Sequence, residues 1–252
     1  MASSETGQLI QAVNRLTQTV QDKIADIDSK VDSVANDIRA NTGLTQKQVF
    51  YVDAETGDDS ATGSAQRPFK TVKKALSSAY SGAVCTIRLQ RNQRHIIEEN
   101  VTNFSSLIEF RAWGRNADTT RSFHYDASTP ILDIQGGINT YGSLVFGGHQ
   151  ESLIIELNDR AESEFWGGGA VTIARSRLVL NLQSDKKCFF GERRYLSPNK
   201  VTLREAEIEK NQGYLAYPCQ LVVDSSWGFE YVEDLILGAN KDNTLSNVPF
   251  KS

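Results

Sequence analysis

FYVDAETGDDSATGSAQRPFKTVKKAL, residues 50–76, carries three kinds of local pattern in one short run. Val49-Phe50-Tyr51-Val52 is a block of β-branched and aromatic residues, the composition of a strand. Gly57-Asp58-Asp59-Ser60-Ala61-Thr62-Gly63-Ser64 is made of residues that set turns and reads as a loop. Pro68 and Phe69 then open an amphipathic helix. Phe69, Val72, Ala75, Leu76 and Ala79 share one face at helical spacing, Lys70, Lys73 and Lys74 point elsewhere, and Gly82 ends the pattern. Asp53, Asp58 and Asp59 offer the oxygen ligands that a hard cation takes, but they do not follow the EF-hand spacing. Their expected role is to cap the N–H groups of their own loop.

Downstream of Ala83 the pattern is one of short apolar runs: Val84–Leu89, Leu107–Phe110, Ile131–Ile134, Leu144–Phe146, Leu153–Leu157, Val171–Ile173, Leu178–Leu182, Leu221–Val223 and Leu235–Leu237. Gly, Asn, Asp or Ser separates them, as between strands. No second helical pattern intervenes, which excludes a βαβ fold. A sandwich, a barrel or a parallel β-solenoid remains, without a strict sequence repeat to choose among them.

Upstream, Leu9, Val13, Leu16, Val20, Ile24, Ile27, Val31, Val34 and Ile38 follow one another in steps of four and three. This is a heptad seam with one added four-residue step between Val20 and Ile24, a stutter that locally unwinds a supercoil. Val13, Val20, Ile24, Val31 and Ile38 take position a, and Leu9, Leu16, Ile27 and Val34 take position d. β-Branched residues at both positions favour trimers or larger bundles over dimers. So thin a stripe buries too little to hold a lone helix, so self-association into a homotrimer is expected. The plainer alternative is one amphipathic helix packed on its own domain. Asn41-Thr42-Gly43 ends the pattern, with Gly43 suited to a C-cap.

The bulk composition bounds the partners. Of 252 residues, 27 are Lys or Arg and 31 Asp or Glu, for a net charge of −4. The cations are dispersed with no basic stripe, so no nucleic-acid partner is expected. No apolar run reaches the length of about 18 residues that a membrane span needs, so no membrane insertion is expected. Met1 to Gly7 lacks the charged start and apolar centre of a secretory signal, which points to synthesis and folding in a cytoplasm. Cys85, Cys188 and Cys219 have no paired spacing and are expected to be buried free thiols.

Candidate chemistry is sparse. Glu162 and Glu164 lie two apart and on a strand would share a face beside Trp166, an arrangement of paired acids and a stacking ring that suits glycan binding or cleavage. The same acids fit a solvated strand edge before the Gly167-Gly168-Gly169 turn. Glu205, Glu207 and Glu209 alternate with Ala206 and Ile208, the pattern of a half-buried strand. His95, His124 and His149 are isolated from one another and carry no metal-binding spacing. No metal or cofactor is expected. Asn100, Asn103, Asn139, Asn158 and Asn181 recur near strand ends, where amide side chains stack and satisfy backbone groups.

Phe50-Tyr51-Val52-Asp53, the Gly57–Gly63 loop and Pro68-Phe69-Lys70-Thr71-Val72-Lys73-Lys74-Ala75-Leu76 resemble the opening of pectate-lyase-like right-handed β-helix proteins. The resemblance implies a mainly β chain: an N-terminal trimeric α-helical coiled coil, then a right-handed parallel β-helix with an N-terminal capping helix. The corresponding divisions are a stalk and virion-proximal segment over residues 1–43, a linker and cap over 44–82, the β-helix over 83–238 and a C-terminal tail over 239–252. A coiled coil followed by such a β-helix resembles bacteriophage tail fibres and tailspikes. What this implies is a virion appendage made in the bacterial host cytoplasm. Its N-terminal region would meet other tail or baseplate proteins, and its β-helix a host surface glycan or protein. Two alternatives share these features. One is a tailspike-type depolymerase of host capsule or lipopolysaccharide, for which Glu162 and Glu164 are the candidate acids. The other is a head fibre or fibre adaptor with a purely structural role. Catalytic residues of the pectate lyases have no matching positions here.

Overall fold

The computed structural model describes residues 2–42, 47–114, 125–158, 169–185, 187–190 and 198–251. The chain divides into two compact units, Met1–Gly43 and Leu44–Ser252. The first is helix α1, Ala2–Thr42, whose side chains are described at residues 7, 11 and 13–34. Its polar flanks are satisfied along the helix. The Thr17 and Thr19 hydroxyls donate to the Val13 and Arg15 carbonyls at 3.0 and 2.9 Å, and Lys30 pairs with Asp26 one turn away at 3.0 Å.

The second unit is mainly β, and every ladder between its named strands is parallel. Seven strands lie side by side in one sheet: β1 (Lys47–Val52), β2 (Val84–Gln90), β5 (Leu107–Trp113), β8 (Ser143–Phe146), β10 (Ala170–Ala174), β13 (Lys200–Arg204) and β16 (Gln220–Asp224). A second sheet holds β3 (Arg94–Ile97), β6 (Ile131–Ile134), β9 (Ile154–Asn158), β11 (Arg177–Asn181) and β14 (Glu207–Gln212). Two smaller sheets pair β4 (Val101–Asn103) with β7 (Ile138–Thr140), and β12 (Cys188–Phe190) with β15 (Tyr214–Ala216). The chain therefore visits the long sheet, then the five-stranded sheet, and repeats.

Parallel in-register pairing puts like residues in rows. Cys85, Ile108, Leu144, Val171, Val201 and Leu221 form one buried row, and Ile87, Phe110, Phe146, Ile173 and Leu203 the next. The Phe110 and Phe146 rings stack at 5.2 Å between centroids with planes 7° apart. Leu132, Ile155, Leu178 and Ile208 form the matching row of the five-stranded sheet. A one-residue slip would turn every row outward, so the alternation fixes the register.

Helix α2 (Val72–Ser77) buries Val72, Ala75 and Leu76 and packs against β1 to β4. It is shorter than the sequence pattern implies. Pro68 to Lys70 lie outside it, because Phe69 is claimed by strand pairing. Its N–H donates to the Tyr51 carbonyl and its carbonyl accepts from the Asp53 N–H, both at 2.9 Å. The Asp59 carboxylate holds the next two residues outside the helix, accepting the N–H groups of Lys70 and Thr71 at 2.9 Å and the Thr71 hydroxyl at 2.8 Å. The Thr71 hydroxyl then caps α2 through the Lys74 N–H. Phe69 is buried beside the helix face nonetheless. Asp53 and Asp58 also cap their own loop, through Glu55, Thr56 and Ser60.

Both edges of the long sheet are covered, which removes the open N–H and C=O rows that invite edge pairing. At β1, the Tyr51 N–H donates to the Gly63 carbonyl at 2.8 Å and Val52 bridges Phe69. At β16, the C-terminal residues do the same work. The Leu221 N–H donates to the Leu245 carbonyl at 2.9 Å. The Asn247 side chain then stands in for a strand, with Oδ1 accepting the Val223 N–H at 2.8 Å and Nδ2 donating to the Val223 carbonyl at 2.7 Å. Leu235–Leu237, which reads as a strand, is not one. Leu235 ends α3 (Val232–Leu235) and Ile236 makes a single bridge to Ala216. The Asp234 carboxylate accepts the Glu230 and Tyr231 N–H groups and so starts a helical turn there.

Candidate functional site

The heptad stripe is unburied within its unit. Val13, Leu16, Val20, Ile24, Ile27, Val31 and Val34 are each between 49% and 65% exposed. The side chains of Leu9 and Ile38 lie outside the described residues, as do Glu162, Glu164, Trp166 and His124 in full.

A group of charged side chains lies at the start of the long sheet. Strands VCTIRLQ and LIEFRAW alternate buried apolar and outward polar residues, and their register sets Thr86 beside Glu109 and Arg88 beside Arg111. Lys47 from β1 and His149, Gln150 and Glu151 from the link between β8 and β9 complete a cleft of about 520 Å³. Glu109 accepts from the Thr86 hydroxyl at 2.7 Å and from Arg111 at 2.9 Å, with Lys47 at 3.9 Å. Arg111 also donates to the Gly147 carbonyl. A Cβ on Gly148 would sit on the Arg111 guanidinium, so glycine there leaves that side chain its place. Arg88 pairs with Glu151 at 2.8 Å, and Gln150 between them sits at φ +59°. A side chain held in the left-handed region is strained, and such residues gather where a loop is held for a purpose.

Burial pushes the Glu109 carboxyl up, but the hydrogen bonds from Thr86 and Arg111 and the charges of Arg111 and Lys47 outweigh it, and its pKa lies below the ordinary value. Glu109 is therefore a fixed carboxylate at neutral pH. It orders cations and accepts hydrogen bonds, whereas a general acid for glycoside cleavage needs a raised value. The cleft as built holds three cations and two carboxylates, paired largely with one another.

Several other candidates from the sequence have structural partners. Glu205 makes a bidentate pair with Arg175 at 2.9 and 3.1 Å, and Glu207 and Glu209 flank Arg177. Asn158, Asn181 and Asn211 form a ladder from Asp133, with steps of 2.8, 3.0 and 2.7 Å. Asn100 and Asn103 bond backbone groups at Gly137 and Leu76. His95 is a core residue: burial lowers its pKa against the opposing effect of the Gln90 carbonyl and Asp53. Burial pushes the Cys85 and Cys188 thiols up to about 12 and Cys219 to about 11, which makes them poor nucleophiles. Cys188 is only partly buried, unlike the expectation for all three.

Sequence reasoning missed the cleft because its residues come from four separate places. The available signal was the charged pair at alternate positions, Thr86-x-Arg88 and Glu109-x-Arg111, in otherwise apolar strands. A second missed signal is a repeat. Val101-Thr102-Asn103-Phe104 and Ile138-Asn139-Thr140-Tyr141 pair in register as far as Asn103 and Thr140, and each leads into a strand that carries one of the stacked rings, Phe110 or Phe146. No protein-family model, curated protein or solved structure matches the chain.

Proposed function

We propose that the chain is a homotrimeric fibre protein of a bacteriophage virion that attaches the particle to its host's surface. In this reading residues 1–43 form a three-stranded coiled coil and residues 83–238 a right-handed parallel β-helix, with α2 capping its N-terminal end. The observation that carries the reading is the heptad stripe of α1. Seven apolar side chains in register, each about half exposed, require a partner with the same spacing, and another copy of the chain supplies it. The parallel ladders of the second unit and its covered edges support a rod that stays a discrete end-piece. Three copies held together give three receptor surfaces, and avidity then exceeds single-site affinity by orders of magnitude.

Light scattering on the full chain at micromolar concentration tests this. The expected mass is three times 27.9 kDa. A monomer would overturn the reading, because the stripe of α1 would then lack the second and third copies it is proposed to pack against. Loss of adsorption to host cells on competition with the purified protein tests attachment itself.

A further inference from the structure

The strands β4 and β7 present an outward face beside the five-stranded and seven-stranded sheets. Along each, alternate residues point in: Val101 and Asn103 are buried, as are Ile138 and Thr140. The next outward positions are Phe104 and Tyr141, 56% and 83% exposed. Their rings lie at 6.1 Å between centroids with planes 11° apart. Two large rings set parallel and left in water are a cost that a chain with free choice of polar residues need not carry. Thr102 and Asn139, paired in register, hold the outward positions before them on β4 and β7, and neither carries a charge.

We propose that the exposed Tyr141 ring, backed by Phe104 stacked on it, is a platform for a neutral glycan, which lays the C–H face of a sugar unit on that ring. A flat ring takes the apolar face of a pyranose, and the exposed Thr102 hydroxyl meets its polar rim. A second copy of the chain fits the patch less well. The two side chains expose together roughly 250–300 Å², against about 800 Å² per partner in a stable interface. An acidic ligand fits the charged cleft at Glu109 better than this uncharged strip. The proposal gives the attachment reading its ligand class and rests on that reading only for its biological setting.

The test is retention of the full-length protein on an array of neutral bacterial and plant glycans, with oligogalacturonates as the acidic comparison. The native chain is expected to bind neutral members, Tyr141→Ala to bind at least tenfold more weakly, and Tyr141→Trp to keep binding. Both side chains stand in solvent, so an unchanged thermal midpoint shows that the variants fold. No retained neutral glycan, or equal retention by Tyr141→Ala, overturns the proposal. A Tyr141→Ala chain of lower solution mass with unchanged glycan binding also overturns it and assigns the patch to a subunit contact. Host-cell adsorption separates the two readings. Adsorption that persists in Tyr141→Ala removes this site and leaves attachment standing. Glycan binding through Tyr141 without adsorption removes attachment and leaves the site.

Discussion

Replacing Asn247 with alanine removes the side chain that closes the β16 edge, and nothing in the backbone pairing of Leu221 with Leu245. Two hydrogen bonds to Val223 are lost. Both are solvent-accessible, so each contributes at the low end of the usual net of about 0.5–1.5 kcal/mol, and the pair about 1–1.5 kcal/mol. That amount corresponds to roughly a tenfold larger open population at Val223. Amide hydrogen exchange on the full chain reads it directly. The Val223 N–H should exchange about tenfold faster in Asn247→Ala, with Leu221 nearly unchanged. Asn247→Asp keeps the acceptor but sets a carboxylate against the Val223 carbonyl. It should therefore preserve slow exchange at Val223 while lowering global stability. An unchanged Val223 rate in Asn247→Ala would refute the plug. Equal acceleration at Leu221 would refute its local character, because the whole C-terminal strap would then be leaving together.

Four further outcomes follow from the same structure. His95 is held neutral in the core, while the unfolded imidazole takes a proton near 6.5. The unfolded chain thus binds more protons below that pH, so stability rises with pH through this window and is lost on acidification below about 6.5. His95→Leu should flatten the denaturation midpoint between pH 7 and pH 5, and an unchanged slope would count against the assignment. Gly57→Ala places a Cβ 2.3 Å from the Phe69 carbonyl oxygen and 2.4 Å from that of Asp53, so the Phe69 pairing must shift and the melting temperature should drop by several degrees. Gly7→Ala, with nothing within 4 Å in α1, should instead raise helix stability by about 0.5–1 kcal/mol. In the proposed trimer, Ile24→Ser removes a half-exposed seam residue from each chain, about 1 kcal/mol apiece, and should weaken assembly about a hundredfold, read as a lower mass at micromolar concentration.

The strand positions were legible where apolar runs were long enough to alternate. Val84–Leu89 and Leu107–Phe110 fall inside β2 and β5 because their buried residues repeat at every second position. Short strands such as β4 and β7 were invisible, since three residues carry too little pattern and their stability comes from pairing with each other. β12 and β15 escaped for the same reason. The boundary of α2 was misjudged because strand pairing at Phe69 and the Asp59 cap override helical spacing, and both partners lie far away in sequence. Leu235–Leu237 has a strand's composition, but Asp234 winds it into a turn. The cleft stayed hidden because it depends on register. Only in-register pairing brings Glu109 to Thr86 and Arg111 to Arg88, and register is a long-range property. The heptad, being local, was readable without any partner in view.

The cover over β16 also sets an order of events during synthesis. Each new pass lays its strand against the one before, so at every moment the growing chain ends in a bare parallel edge. Every earlier edge is covered as soon as the next strand is made. β16 must wait for residues 245–247, which follow it by a little over twenty positions. At about 5–20 residues per second this leaves the edge open for roughly one to five seconds. A nascent chain stalled or cut within that interval would present a finished sheet with a sticky side, so the last part to be made decides whether neighbouring polysome products stay apart.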